Sequence, residues 1–152
     1  MPNCVFCKII AGEIPSFKVF EDNDFVAILD INPNTKGVTL VMPKKHHESD
    51  LVETEDAFLE NIVGVSRKVA QNLKAALGVK RVGLIVEGMG VDHFHVKLYP
   101  FHGLGEDFKT MAHGTETVFF EKYPGYMTSL LGPPADFEEL RGLADEVRDE
   151  GS

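Results

Sequence analysis

Val91-Asp92-His93-Phe94-His95-Val96-Lys97-Leu98-Tyr99-Pro100 alternates apolar and polar side chains with a period of two. Successive side chains of a β-strand point to opposite faces. On that geometry Phe94, Val96 and Leu98 share one face and enter a core. His93, His95 and Lys97 share the other, about 6–7 Å apart along the strand. Three potentially cationic groups in a row on a rigid element suit a phosphate group. An imidazole among them can serve as nucleophile or proton carrier. The same spacing also describes a solvated strand face carrying two histidines and a lysine, and His-x-His alone does not separate the two.

The segments around this strand fix the fold class. Phe17 to Phe20 and Phe25 to Leu29 read as short strands joined by the turn residues Glu21-Asp22-Asn23-Asp24. Asn32-Pro33-Asn34-Thr35-Lys36-Gly37 reads as a loop, and Val38 to Met42 as a buried strand ended by Pro43. Residues 4–10 fit a short helix or turn closed by Gly12 and Pro15. From Glu55 to Leu77, Phe58, Ile62, Val65, Val69, Leu73 and Leu77 recur at three- and four-residue steps, which predicts one long amphipathic helix. Thr54 is the expected cap, Glu55 and Asp56 suit the positive end, and Gly78 ends the helix. Val82 to Val86 and Phe94 to Tyr99 follow as strands. Strands, one long helix, then strands predict an α+β domain with an antiparallel sheet of about five strands. The expected organisation is one domain over 1–152, with a core at about 4–100 and a C-terminal extension at about 101–152. In that extension Val118-Phe119-Phe120 suggests a strand. Asp136 with Glu139 and the spacing of Leu140, Leu143 and Val147 suggest a helix over about 137–148, with an acidic, frayed end.

Composition excludes several classes. The chain has 152 residues, 43% hydrophobic and 26% charged, close to ordinary globular usage. No apolar run approaches the roughly 18 residues of a membrane span. Met1-Pro2-Asn3-Cys4 lacks a basic and an apolar signal region, so an intracellular, cytoplasmic setting is expected. Fifteen basic against 24 acidic residues give a formal charge of −9. That surface repels nucleic acid and anionic lipid at long range, so neither is an expected partner. A local cationic pocket can still hold a small phosphate ligand within a Debye length of about 8–10 Å.

The two cysteines stand as Cys4-x-x-Cys7, a metal or redox spacing in an intracellular chain. No strand precedes the pair, which weakens a redox site. Zinc needs four ligands, and His46 and His93 are available if the fold brings them together. Two reduced structural cysteines fit the sequence equally well.

Three ordered blocks resemble the histidine triad (HIT) family of nucleotide hydrolases and nucleotidyl transferases. They are Cys4-Val-Phe-Cys-Lys-Ile-Ile-Ala-Gly-Glu-Ile-Pro15, then Asp30-Ile-Asn-Pro33 with Gly37-Val-Thr-Leu-Val-Met-Pro-Lys-Lys-His46, then Gly88 to Pro100. Together they span about two-thirds of the chain. The resemblance implies a HIT-like fold and a homodimer that binds a purine nucleotide or nucleotide conjugate beside the histidine strand. It implies cleavage at the α-phosphate of a nucleoside phosphoramidate or dinucleoside polyphosphate through a nucleotidyl-histidine, with His95 as nucleophile. It assigns Asp30 to the ribose hydroxyls and Val5, Phe6, Ile9, Ile28 and Ile31 to the base. It assigns structural zinc to Cys4, Cys7, His46 and His93. Transfer to another acceptor, or nucleotide binding without catalysis, are the alternatives. His47, His102 and His113 read as surface histidines.

Two departures from the family pattern bear on activity. The third triad position is Lys97. A lysine stays charged near neutral pH unless desolvated, so it suits electrostatic contact with phosphate or leaving-group oxygens better than general base chemistry. The loop before the triad is Gly88-Met89-Gly90, where relatives often carry Gly-Gln-Ser/Thr. Backbone N–H groups of Gly88 and Gly90 remain available to a phosphate. Asp92 is expected to turn toward the face of Phe94 or into the preceding turn.

Overall fold

The computed structural model describes residues 4–105 together with Phe119, Glu121 and Lys122. The chain divides into two units, Met1–Phe108 and Lys109–Ser152. The expected strand at 118–120 and helix at 137–148 lie outside the described residues.

The first unit contains α1 (Val5–Ile10), β1 (Lys18–Glu21), β2 (Phe25–Leu29), β3 (Thr39–Pro43), α2 (Asp56–Leu77), β4 (Arg81–Ile85) and β5 (Val96–Phe101). The five strands form one antiparallel sheet in the order β1-β2-β3-β5-β4. This is the expected α+β architecture. Placing β5 between β3 and β4 brings the segment after α2 back to the centre of the sheet.

The alternation of side chains divides the core into two layers. Phe25, Ala27, Val41, Phe94, Val96 and Leu98 pack on the face covered by α2. They meet Ile62, Val65, Val69 and Leu73, flanked by Phe58 and Leu77, so the whole predicted stripe is used. Val26, Ile28, Leu40 and Met42 point to the other face, where Phe6 of α1 covers them beside Cys4 and Ile9. Every residue of β3 is buried because this strand has a strand on each side and a helix on each face. Burying each large aliphatic side chain contributes about 1.5–3 kcal/mol. Ile62, in the N-terminal half of α2, is fully buried. Ile62→Ala should cost about 2–5 kcal/mol, measured as a lower urea midpoint with an unchanged slope.

Gly78 terminates α2 in the left-handed region at φ 63° and ψ 22°, as its position predicts. Thr54 does not cap the helix. The N-cap is Glu55, without a side-chain cap hydrogen bond, and the Thr54 hydroxyl instead donates to the carbonyl of Asp50. The turn over 50–54 draws that hydroxyl away from the helix.

The sequence also misplaces the start of β5. The strand begins at Val96, and His93 to His95 form an irregular segment before it. The His93 N–H turns back to the Val91 carbonyl at 2.8 Å, and the Phe94 N–H reaches the His47 carbonyl at 2.8 Å. These bonds hold the histidine segment to the β3–α2 connection instead of to a neighbouring strand. His93 and His95 are 0% and 5% exposed, so the solvated-face alternative fails.

Candidate active site and metal centre

Four predicted ligands converge at the N-terminus of α1. Cys4 is its N-cap, in extended conformation, and its sulfur accepts from the Cys7 N–H at 3.5 Å. One helical turn therefore presents both sulfurs to the same point. His46 arrives from the end of β3 and His93 from the segment before β5. Cys4 Sγ lies 3.4 Å from His93 Nδ1, Cys7 Sγ lies 3.5 Å from His46 Nδ1, and Cys7 Sγ lies 3.6 Å from His93 Nδ1. All four donor atoms fall within 4.8 Å of one another.

These distances fit a tetrahedral zinc site. Zinc–sulfur bonds near 2.3 Å and zinc–nitrogen bonds near 2.0–2.1 Å give sulfur–nitrogen edges of about 3.6 Å. The tautomer of His93 fits as well. Its Nε2–H donates to the Pro43 carbonyl at 2.9 Å, which leaves the Nδ1 lone pair facing the sulfurs. Burial, with the Cys4 thiol beside it, pushes the Cys7 thiol above its ordinary range. A bound cation would reverse that balance by stabilising thiolate.

The second site adjoins the first. His95 Nδ1–H donates to the His93 carbonyl at 2.8 Å, leaving Nε2 with the free lone pair. The Phe6 ring packs edge-on against both imidazoles, with centroids 5.8 Å from His93 and 5.2 Å from His95. Burial lowers the pKa of His95, and Lys97 adds to this. The His93 carbonyl, Glu87 and Asp30 act in the opposite direction without restoring it. The result is a neutral imidazole at neutral pH, the form a nucleophile requires.

His95 lines a cavity of about 410 Å³. Val5, Phe6, Ile9, Ile28, Ile31 and Asp30 line it too, so the N-terminal and central blocks of the sequence converge here. Ile31 is 77% exposed and stands at the rim. Asp30 is also a turn residue, because its Oδ1 accepts from the Asn32 N–H at 2.8 Å. Gly90 and Lys97 complete the predicted set within the lining.

Gly88 does not line this cavity. Its carbonyl accepts from the Ser49 hydroxyl at 2.9 Å, and the Ser49 N–H and hydroxyl both reach Asp92 Oδ1, at 3.0 and 3.2 Å. Asp92 thereby ties the loop before the histidines to the β3–α2 connection. Gly88 lies at φ 66°, and a Cβ there would come within 2.8 Å of the Ser49 carbonyl oxygen. Gly88→Ala should therefore cost about 1–3 kcal/mol and displace this loop, read as a lower thermal midpoint.

Sequence reading missed Glu87. Its Oε1 accepts from Lys97 Nζ at 2.6 Å, and both residues line the cavity. The only available signal was the β4–β5 register, in which Ile85 pairs with Lys97, and that register is not visible before the strands are paired. Burial opposes the Lys97 charge, but Glu87, with smaller help from Tyr99 and Asp30, raises its pKa overall. His47 also differs from its expected surface role. It is half-buried and stacks on Phe58, with centroids 4.2 Å apart. His102 is exposed, and His113 lies outside the described residues.

A five-stranded antiparallel sheet with a histidine segment at its centre and a helix closing each face is also the architecture of solved histidine triad proteins. SMU.412c from Streptococcus mutans superposes with a TM-score of 0.72 and 34% identity, covering 100% of this chain and 87% of that one. Residues 11–108 match the family model described as HIT domain, and the chain belongs to that family. A zinc-bound histidine triad family protein from Mycobacterium smegmatis superposes with a TM-score of 0.60 and 30% identity, covering 71% of this chain and 82% of that one. Adenosine 5'-monophosphoramidase HNT1 from Saccharomyces cerevisiae is 37% identical over 98 residues, 64% of this chain and 61% of its own length. No helix among the described residues is long and apolar enough to cross a membrane.

Proposed function

We propose that this protein is a nucleotidyl hydrolase acting at the α-phosphate of a nucleoside phosphoramidate or dinucleoside polyphosphate. The observation that carries the reading is the His95 tautomer. Nδ1 is committed to the His93 carbonyl, so the neutral ring offers Nε2 beside the cavity. In the first step Nε2 forms a bond to phosphorus while the bond to the leaving group breaks. In the second, water attacks the phosphorus, frees His95 and releases a nucleoside monophosphate. Lys97 faces the phosphate or leaving-group oxygens. The second oxygen of Asp30 receives the ribose hydroxyls. Val5, Phe6, Ile9, Ile28 and Ile31 enclose a purine base, and the Gly90 N–H is available to phosphate.

Zinc held by Cys4, Cys7, His46 and His93 is assigned a structural part. It joins α1, which carries Phe6, to the segment that carries His95. The protein is taken to work as a homodimer, as the family resemblance implies.

Release of nucleotide from an adenosine phosphoramidate and from a diadenosine polyphosphate tests this reading, with and without inorganic phosphate. Release that does not depend on phosphate supports the hydrolase. Release that requires phosphate assigns a phosphorylase. Tight nucleotide binding without release from either compound would make the protein a nucleotide-binding module and refute the hydrolase.

A further inference from the structure

The cavity beside His95 has an unusual charge balance for a phosphate site. Among its lining residues, the carboxylates of Asp30 and Glu87 stand against the single ammonium of Lys97. Lys97 is not a free cation, because Glu87 holds it at 2.6 Å. Both side chains are largely shielded, at 25% and 17% exposure, so solvent screens the pair less than it would a surface ion pair. The pair is fixed by the sheet. Ile85 of β4 stands opposite Lys97 of β5, and Glu87 lies two residues further along the same chain.

We propose that Glu87 is a specificity-determining residue that restricts this site to nucleotides carrying one phosphate and an uncharged or cationic leaving group. The proposal rests on the nucleotide reading above and deepens it. A ligand with a single phosphate brings about one or two negative charges to the Glu87–Lys97 pair. A polyphosphate chain brings several more, and its additional phosphates meet a neutralised lysine with a carboxylate alongside. An amine leaving group, in contrast, meets a carboxylate acceptor. Among the two substrate classes the resemblance implies, the geometry therefore favours phosphoramidates over dinucleoside polyphosphates.

The test is a binding series followed by a turnover ratio. Affinities for AMP, ADP and ATP would be measured by calorimetry without added magnesium, on the wild type and on Glu87→Gln. This substitution keeps the side-chain shape and removes the charge. The wild type should bind AMP more tightly than ATP. Glu87→Gln should move the ATP-to-AMP affinity ratio toward ATP by about tenfold, the size expected for one unit charge at short range, and the shift should shrink in high salt. Adding Lys97→Gln to Glu87→Gln should cancel the gain, because no released ammonium remains. In turnover, the ratio of kcat/KM for an adenosine phosphoramidate to that for diadenosine tetraphosphate should fall by a similar factor in Glu87→Gln.

An unchanged affinity ratio, or a change that salt does not reduce, would overturn the role of Glu87 and leave the hydrolase reading intact. A shifted binding ratio without turnover of either substrate by the wild type would sustain the charge selection and refute the hydrolase. No nucleotide binding by the wild type would remove both.

Discussion

His95→Ala is expected to lower nucleotide release by at least about 10³-fold, with no covalently bound nucleotide detectable. The size follows from the chemistry. The imidazole supplies the atom that bonds to phosphorus, and no other histidine lines the cavity among the described residues. Lys97 is the nearest alternative, but its charge is held by Glu87, so its nitrogen has no free lone pair near neutral pH. The substitution also removes the edge contact with Phe6 and the bond to the His93 carbonyl, so a modest loss of stability accompanies it. The fold should persist, because the main core against α2 does not include His95. Steady-state release with a circular dichroism spectrum of each protein separates the chemical loss from unfolding. Near wild-type release from a folded His95→Ala protein would exclude the nucleotidyl-histidine route.

Removal of the metal is the second large effect. Purified protein without a tag should carry one zinc per chain, and Cys7→Ser should carry well below one. Ligand binding stabilises the native state by RT ln(1 + [L]/Kd), about 4 kcal/mol when free zinc is a thousandfold above Kd. For a domain of this size that corresponds to a fall of roughly 10–20 °C in thermal midpoint on chelation. The loss should also reach the cavity, because Phe6 rides on the helix that begins at the two cysteines and packs on the His95 ring. Chelated protein should therefore bind nucleotide more weakly, and added zinc should restore both properties. A preparation with well under one zinc per chain and an unchanged midpoint would refute the four-ligand assignment.

Much of the fold was legible because periodicity and burial coincide. The span read for β2, Phe25 to Leu29, is the span observed. The span read for the helix, Glu55 to Leu77, marks α2 to within one residue, since one face meets the sheet and the other meets water. The histidine segment was harder. Its alternation is genuine at Phe94, Val96 and Leu98, which all enter the core. But His93 and His95 are buried too, and the turn at Val91 delays the start of the strand to Val96, so alternation alone could not separate a metal-facing imidazole from a cavity-facing one. That separation came from the family resemblance, and the sulfur–nitrogen distances are consistent with it.

Other parts of the site depend on contacts between segments far apart in sequence. Glu87 joins the cavity only through the pairing of β4 with β5. Gly88 was expected to offer its N–H to phosphate, yet it stands outside the cavity lining, where its carbonyl accepts from Ser49 on the other side of α2. Thr54 had the composition of a cap and lost that role to the turn before it. In each case the residue type was informative and the partner was not encoded nearby.

The most direct measurement is intact-mass and peptide analysis of wild-type protein quenched during turnover of an adenosine phosphoramidate. Adenylate on the peptide containing His95, absent from His95→Ala and discharged by water, is the expected result. Turnover with no adduct, or with adenylate on another residue, would contradict the assignment of His95 as the nucleophile.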